Sequence, residues 1–404
     1  MMVGGLAVTN VTVAERLNPI PFAGIRKVFE KANQLEASGQ KVIHFEIGRP
    51  DFDTPAHIKA AAKLALDQGL VHYTPNSGLP ALRQALAGRL NADKGLTYSP
   101  DTEIIMTAGG QEALYLSFLS ILNEGDEVIL PDPCFGPFPL AVRLAGGVPV
   151  KIGLQPQQNY CYDFAAVKKA LSPKTKAIVV NSPHNPTGGV WSEDQLKTVA
   201  ALATERGIWL ICDDAYDNLV YEGCRVSPAG FAGLRERTIL CGSLSKTYAM
   251  TGWRIGYIAA AEPVINAAIR LQQNIMLSLC SFAQYGAMAG LAGPQDCVRT
   301  MAGEFARRRN LVLAMIHDIP GLQLDGFPGG AFYAFPRITL PNITSAQVAD
   351  YLLDHAGVAV VDGLAFGEKG NGHFRLSYAV AYEDCREGLE RIAEAMKTLA
   401  QKCS

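Results

Sequence analysis

The stretch Ser243-Leu244-Ser245-Lys246, followed by Thr251-Gly252-Trp253-Arg254-Ile255-Gly256, is the most informative part of the chain. It places the amine of Lys246 among small hydroxyl residues, with the guanidinium of Arg254 close behind. A lysine amine attacks aldehydes once its surroundings lower its pKa, and serine hydroxyls and arginine are good phosphate partners. The pattern indicates an amine that forms an imine beside a bound phosphate. An isolated lysine, in contrast, is more often a solvated surface residue.

A rigid turn follows the apolar run Ala177-Ile178-Val179-Val180, which is typical of a buried strand. The turn reads Asn181-Ser182-Pro183-His184-Asn185-Pro186-Thr187-Gly188-Gly189, and its prolines and glycines exclude regular structure. The bonds before Pro183 and Pro186 are candidates for the cis form. Such a turn would hold the Asn185 amide at one point. An ordinary strand-ending loop is the alternative.

A second apolar run, Gly207-Ile208-Trp209-Leu210-Ile211-Cys212, ends in Asp213, and Tyr216 follows three residues later. A buried carboxylate is costly unless it meets a cation or a strong donor. A protonated pyridine nitrogen is such a cation. The ion pair would keep the ring protonated, so that the ring can accept electrons from a bound substrate. The alternative for Asp213 is a helix N-cap.

A glycine pair, Gly109-Gly110, lies between the predicted strand Glu103-Ile104-Ile105-Met106 and a predicted helix from Ala113 to Leu122. Glycines at a helix N-terminus let backbone N–H groups approach an anion, where the helix dipole is favourable. The pair alone suits a tight turn without a ligand equally well.

Together these motifs resemble those of the class I aminotransferases, which are fold-type I pyridoxal-phosphate enzymes. The resemblance runs from Glu46-Ile47-Gly48-Arg49-Pro50-Asp51-Phe52 to Phe374-Arg375-Leu376-Ser377-Tyr378-Ala379. The motifs also follow one another in the family's order, and His72-Tyr73-Thr74-Pro75 belongs to the same series.

The resemblance implies a role for each of these residues. Lys246 would be the Schiff-base lysine and the proton shuttle, and Asp213 would pair with the pyridinium nitrogen of pyridoxal 5'-phosphate. Arg375 would bind the substrate α-carboxylate as a bidentate fork, with Gly48 and Asn185 as the other substrate contacts. The remaining implied cofactor contacts are Tyr216 and Asn185 at the phenolic oxygen, Phe135 stacked on the ring, Ser243, Ser245, Arg254, Gly109, Gly110 and Gln111 at the phosphate, and Tyr73 from a neighbouring subunit. A homodimer is therefore part of the prediction.

The chain of 404 residues is long enough for two or three domains. Apolar strands alternate with helices from about residue 54, which predicts an α/β fold with a mainly parallel sheet between helices. The resemblance implies that this sheet is of the seven-strand type. The resemblance adds a smaller, discontinuous α+β domain. The predicted boundaries are 1–53 for its N-terminal part, 54–295 for the large cofactor-binding domain and 296–404 for its C-terminal part.

Composition excludes several other classes of protein. A formal net charge of −2 gives no basic footprint for nucleic acid. No apolar run is long enough to span a membrane, and nine cysteines without a C-x-x-C pair favour free thiols in a reducing compartment. The histidines lack metal-ligand spacing, so no metal is predicted. These features predict a soluble, cytoplasmic protein whose partners are a small L-amino acid and a 2-oxo acid.

Three alternatives remain beside the aminotransferase. Ser243-x-x-Lys246 matches a motif of serine acyltransferases, but the Ser-Asp-Asn and Lys-Thr-Gly motifs that accompany it are absent. A non-catalytic aminotransferase-like domain of a transcription regulator would need a DNA-binding module, and Gly48 comes too early for one. A pyridoxal-phosphate lyase, of the β-elimination type, shares nearly every residue named above and stays open.

Two further expectations concern charges. Some dicarboxylate-specific relatives carry a lysine after the glycine pair or an arginine in the segment 272–284. Here Gln111 stands at the first position and the segment has no cation. We therefore expect neutral or aromatic amino donors, with 2-oxoglutarate or pyruvate as acceptor.

The run Arg307-Arg308-Arg309 lies on a predicted helix, and we expect it to form a solvated face.

Overall fold

The computed structural model describes residues 13–18, 20 and 24–403. The helices over these residues are α1 Gly24–Ala37, α2 Ala56–Asp67, α3 Pro80–Lys94, α4 Gly110–Ile121, α5 Pro137–Leu144, α6 Phe164–Ala170, α7 Glu193–Arg206, α8 Leu244–Thr247, α9 Glu262–Ile275, α10 Ser281–Ala292, α11 Asp296–His317, α12 Ser345–Ala356 and α13 Tyr382–Cys403. The strands are β1 Ile43–His44, β2 Ile104–Thr107, β3 Glu127–Asp132, β4 Val148–Gln155, β5 Cys161–Tyr162, β6 Thr175–Asn181, β7 Trp209–Asp213, β8 Thr238–Ser243, β9 Gly256–Ala259, β10 Leu322–Gln323, β11 Tyr333–Ala334, β12 Arg337–Ile338, β13 Val358–Ala359, β14 Val361–Asp362 and β15 Phe374–Ser377.

The main sheet has the order β2-β9-β8-β7-β6-β3-β4-β5 over the described residues. β3 and β4, β3 and β6, β6 and β7, and β7 and β8 pair in parallel, whereas β9 runs antiparallel to both of its neighbours. The prediction of a mainly parallel sheet between helices is confirmed. Seven strands form its body, and the two-residue strand β5 extends one edge antiparallel to β4.

Both faces of this sheet are buried, because successive side chains along a strand point to opposite faces. Ile178 and Val180 of β6 pack in a core with residues of α2, α3, α7 and α10. Ala177 and Val179 of the same strand pack in a second core with residues of α4, α5 and α9. The continuous apolar run of β6 therefore follows from burial on both sides.

A third core joins the N-terminal and C-terminal segments of the chain. Ile43 and Phe45 pack there with apolar residues of α11, α12, β15 and α13. Strand β1 also pairs in parallel with β13. Leu219 and Ala249, from the central segment, belong to the same core, so the boundaries at residues 53 and 295 stay a prediction. Residues 1–12, 19 and 21–23 of the predicted N-terminal part lie outside the described residues.

The expectation of a solvated face at Arg307-Arg308-Arg309 is wrong for two of the three residues. Arg308 and Arg309 are buried, and only Arg307 is exposed. Arg308 pairs with Asp51 at 2.7 Å, and Arg309 pairs with Glu222 at 2.8 Å. Both partners are distant in sequence, so the charge run did not reveal that α11 turns two arginines inward to anchor other segments.

Candidate active site

The predicted site residues follow the carboxyl ends of neighbouring strands. Asn185 follows β6, Asp213 ends β7, and Lys246 comes three residues after β8 ends. Carboxyl ends of parallel strands meet at one edge of a sheet, where ligands of open α/β sheets bind. The side chains line one cavity of about 260 Å³ at this edge.

Most of the predicted contacts are brought together in that cavity. Its lining residues include Gly48, Gly110, Gln111, Phe135, Asn185, Asp213, Tyr216, Ser243, Ser245, Lys246, Arg254 and Arg375. Gly109 does not line the cavity, but a Cβ on this residue would lie 2.4 Å from Nη2 of Arg254. Tyr73 lies apart on the surface, with 85% of its side chain exposed.

Asn185 is held by a turn with two cis prolines, at the Ser182-Pro183 and Asn185-Pro186 bonds. The buried Asn181 fixes the turn, because its Oδ1 accepts a hydrogen bond from the Asn185 N–H at 3.1 Å. The Asn181 amide also donates to the backbone oxygen of Asp213 at 3.3 Å. One buried side chain thus positions both predicted cofactor contacts.

Asp213 is 7% exposed, and its Oδ1 accepts a hydrogen bond from the Ala215 N–H at 3.1 Å. A turn rather than a helix follows β7, so the helix N-cap interpretation is wrong. Burial raises the pKa of the Asp213 carboxyl to about 7. No lysine, arginine or histidine among the described residues forms an ion pair with it, and a cationic ligand would therefore stabilise its charged form.

Lys246 lies in the single turn α8, where the Ser243 hydroxyl caps the helix by accepting a hydrogen bond from the Ser245 N–H at 3.2 Å. The Lys246 amine donates to the carbonyl oxygen of Gly48 at 2.5 Å. Burial lowers the pKa of Lys246 to about 8, with the charges of Arg375 and Arg254 acting in the same direction. The amine is thereby made nucleophilic near neutral pH.

This pKa predicts the pH dependence of Lys246 modification in the cofactor-free protein. At pH 7.5 about a quarter of the amines would be neutral, against about 0.1% for an ordinary lysine. We expect brief reductive methylation, read by mass spectrometry, to reach half its maximal rate at Lys246 near pH 8. Half-maximal labelling of Lys246 above pH 10 would contradict the lowered pKa.

The end of the cavity that contains Arg254 is built for an anion. Gly109, at φ +83°, precedes α4, and its lack of a side chain lets the helix N-terminus approach the Arg254 guanidinium. That guanidinium donates to the carbonyl oxygens of Thr251 and Ala108 at 3.0 and 3.1 Å. Backbone N–H groups, hydroxyls and a guanidinium together are the donor set for a phosphate group.

The cavity also contains the buried Arg375, which is 2% exposed. Its guanidinium donates to Asn185 Oδ1 at 3.2 Å and to the Glu46 carbonyl oxygen. It lies 4.5 Å from the ring centroid of Tyr333 and 4.9 Å from that of Phe366. Arg375 forms no ion pair with any carboxylate of the described residues, and its Nε lacks a hydrogen-bond partner there. An anionic substrate group would satisfy this charge.

Sequence reasoning missed several residues of the cavity: Ile25, Leu114, Ala215 and Tyr333. Tyr333 lies within the apolar run Gly329–Phe335, a pattern that is typical of a strand. Nothing in that pattern separates a tyrosine that faces a ligand from one that fills the core. A second, wider hollow of about 940 Å³ shares Arg254 with the cavity and contains Trp253, Met276 and Phe282.

Comparisons with known proteins agree with this geometry. The family described as aminotransferase class I and II matches residues 40–392. A probable aspartate/prephenate aminotransferase of Aquifex aeolicus is 39% identical over 96% of this chain and 99% of the relative. An aromatic-amino-acid aminotransferase of Thermococcus litoralis is 37% identical over 96% of this chain and 99% of its own length.

A solved structure is similar over nearly the same length. The aspartate aminotransferase of Thermus thermophilus with maleate superposes with a TM-score of 0.89 at 38% identity, covering 95% of this chain and 100% of that one. The chain belongs to the class I and II aminotransferase family, and its activity is that of a transaminase.

Proposed function

We propose that the enzyme uses pyridoxal 5'-phosphate to move the α-amino group of an L-amino acid to a 2-oxo acid by a ping-pong mechanism. The observation that carries this proposal is the single cavity that joins Lys246, Asp213, Arg254 and Arg375. The amine of Lys246 matches the aldehyde of the cofactor, and the carboxylate of Asp213 matches its pyridine nitrogen. The guanidinium of Arg254 matches the phosphate, and that of Arg375 matches the α-carboxylate of the amino acid.

The donor set fits this cofactor. The absence of a side chain at Gly109 lets Arg254 lie at the N-terminus of α4, since a Cβ on Gly109 would collide with the guanidinium, and a phosphate bound there would meet both groups. Asp213 is a buried carboxylate without a cationic partner among the described residues, and a pyridinium nitrogen would supply one. Phe135 lines the same cavity and is available for ring stacking.

When bound, the cofactor supplies a ring that delocalises the negative charge developed at the substrate Cα. The protein's own groups then perform the remaining tasks. Arg375 would bind the α-carboxylate and orient the Cα–H bond, and the Lys246 Nζ would take up the Cα proton and carry it to the carbon on the other side of the amino nitrogen. Asp213, ionised beside a cation, keeps the ring nitrogen protonated.

The role of Arg375 predicts the effect of a lysine in its place. Arg375→Lys keeps the charge but loses the planar fork and the contact with the Tyr333 ring. We expect kcat/KM for the amino donor to fall about 10²- to 10³-fold, with little change in affinity for the cofactor, because the proposed phosphate contacts Ser243, Ser245 and Arg254 form no hydrogen bond with Arg375. Steady-state kinetics and a cofactor titration measure the two quantities. A kcat/KM within threefold of the wild-type value would contradict the assignment.

We also propose neutral or aromatic amino donors, with 2-oxoglutarate or pyruvate as acceptor. Gln111 lines the cavity at the position where some dicarboxylate-specific relatives carry a lysine, and the cations among the lining residues, Lys246, Arg254 and Arg375, have other proposed roles. Relatives named for aspartate and for aromatic amino acids are similarly close to this chain, so their names do not decide the donor.

A donor series tests the proposed function together with its substrate class. Phenylalanine, methionine, alanine and aspartate are each supplied with 2-oxoglutarate or pyruvate, and the 2-oxo product and ammonia are measured. We expect one 2-oxo product and one amino acid per turnover without ammonia, because released ammonia would indicate a lyase. Gln111→Lys should raise kcat/KM for aspartate relative to phenylalanine. Equal or better turnover of aspartate than of the other donors by the wild-type enzyme would contradict the substrate class.

We further propose that the enzyme is a homodimer in which Tyr73 reaches the phosphate of the neighbouring subunit. Leu64, Leu66, Val71 and Tyr73 are exposed on one segment, and the wide hollow of about 940 Å³ has a partly apolar lining. Exposed apolar surface of this kind marks protein–protein contacts. A mass near that of one chain of 43.3 kDa in sedimentation equilibrium would contradict the dimer.

A cytoplasmic location completes the proposal. Each cysteine whose side chain the structure describes is free of a disulfide, in agreement with a reducing compartment. Within the described ranges, no helix is long and apolar enough to cross a membrane. The same ranges contain no group of histidine, cysteine, aspartate or glutamate side chains that could hold a metal ion.

A further inference from the structure

Tyr333 contacts Tyr216, expected at the cofactor's phenolic oxygen, as well as Arg375 and Gly48, expected at the substrate carboxylate. It lies in β11, which pairs with the Arg375 strand β15, and only 1% of its surface is exposed. Its hydroxyl is 2.7 Å from the hydroxyl of Tyr216, and its ring centroid is 4.5 Å from the Arg375 guanidinium. A Cβ on Gly48 would lie 2.1 Å from the Tyr333 hydroxyl, so the two are in close contact.

Either hydroxyl can donate in the hydrogen bond between the two phenols, and the proposed function selects one of the two directions. Burial raises the pKa of both Tyr216 and Tyr333, so each hydroxyl keeps its single proton at neutral pH. Tyr333 has no other hydrogen-bond acceptor for its hydroxyl among the described residues. If Tyr216 is to donate its proton to the cofactor's phenolic oxygen, the bond between the tyrosines must be donated by Tyr333.

We propose that Tyr333 is a positioning residue, whose hydroxyl donates to Tyr216 and directs the Tyr216 proton toward the phenolic oxygen of the cofactor, while its ring supports the Arg375 guanidinium. A hydroxyl that accepts a hydrogen bond is a stronger donor. The ring face attracts the cation and limits its movement. Tyr333 thereby supports both a cofactor contact, Tyr216, and the substrate contact Arg375. This inference rests on the proposed function.

The charged groups that face the two phenols are few. Arg375 comes from β15, Asp213 from β7, and Lys246 is held by the Gly48 carbonyl beside the Tyr333 hydroxyl. None of them forms a hydrogen bond with either hydroxyl. Removing the Tyr333 hydroxyl should therefore weaken the hydrogen bond that Tyr216 donates to the cofactor, without breaking another polar contact.

Absorbance titration of the cofactor-loaded protein tests the hydroxyl. If Tyr216 donates more weakly to the phenolic oxygen, that oxygen carries more negative charge. The charge stabilises the proton on the adjacent nitrogen, which joins Lys246 to the cofactor, and so raises the pKa of that nitrogen. Tyr333→Phe should therefore raise the pH midpoint of the visible absorbance change by about 0.5 to 1 unit, and Tyr216→Phe should raise it further. The double variant should match Tyr216→Phe alone, because Tyr333 acts through Tyr216.

The role of the Tyr333 ring is tested separately by the KM for the amino donor. Tyr333→Phe keeps the ring and should leave KM for the amino donor within about threefold, whereas Tyr333→Leu should raise KM about tenfold with the ring removed. Circular dichroism melting of both variants identifies any loss of folding. An unmoved midpoint in Tyr333→Phe, or additive shifts in the double variant, would overturn the inference alone. A wild-type protein that develops no visible band with the cofactor would overturn the proposed function as well.

Discussion

Replacing Lys246 with alanine is expected to lower kcat at least about 10⁴-fold. The variant loses the amine that holds the cofactor covalently and the group that moves the Cα proton. No other lysine lines the cavity among the described residues, so no neighbouring amine can substitute. Steady-state transamination and a borohydride-trapping experiment read by mass spectrometry measure the two losses.

The exposed Lys397 on α13 provides a matched control for this change. Lys397→Ala removes the same number of atoms far from the cavity and should leave kcat unchanged. The cofactor should still bind to Lys246→Ala through the phosphate contacts, but gel filtration should remove it. If Lys246→Ala kept kcat within tenfold of the wild-type value, the assignment of this lysine would be wrong.

The second large effect is expected for Asp213→Asn, with a fall in kcat of about 10²- to 10⁴-fold. The amide has nearly the shape of the carboxylate but cannot stabilise a cation on the ring nitrogen. The hydrogen bond from the Ala215 N–H can be retained by the amide oxygen, so the fold should persist. Transamination rates and the dissociation constant of the cofactor are the measurements.

Asp318→Asn, at the exposed end of α11, is the control for the removal of a carboxylate. It should change neither the rate nor the cofactor affinity. A methylated cofactor, whose ring nitrogen carries a permanent positive charge, should restore part of the activity of Asp213→Asn. No loss of rate in Asp213→Asn would show that the buried carboxylate has only a structural role.

The fold was predictable because its signals are local. Runs such as Ala177–Val180 are apolar throughout, as strands buried on both faces must be. The candidate site was predictable for a related reason. Asn185, Asp213 and Lys246 each follow such a run closely, and carboxyl ends of parallel strands converge at one edge.

Other features depend on contacts between distant segments and could not be predicted. Arg308 and Arg309 are buried by their pairing with Asp51 and Glu222, which no spacing along α11 reveals. Tyr333 becomes part of the site only because β11 pairs with β15 and brings it beneath Arg375. The sequence could not distinguish Asp213 as a cofactor partner from Asp213 as a helix N-cap. The turn that follows β7 in the structure excludes the N-cap.

The most direct test of the account is the absorbance spectrum of the purified protein loaded with pyridoxal 5'-phosphate. An amino acid such as phenylalanine is added first, and a 2-oxo acid follows after the free amino acid has been removed. We predict that the visible band of the cofactor-loaded protein is replaced by a band at shorter wavelength, and that the 2-oxo acid restores it in stoichiometric amount. A band that never changes with any amino acid, or a change with ammonia release that no 2-oxo acid reverses, would contradict transamination at this site.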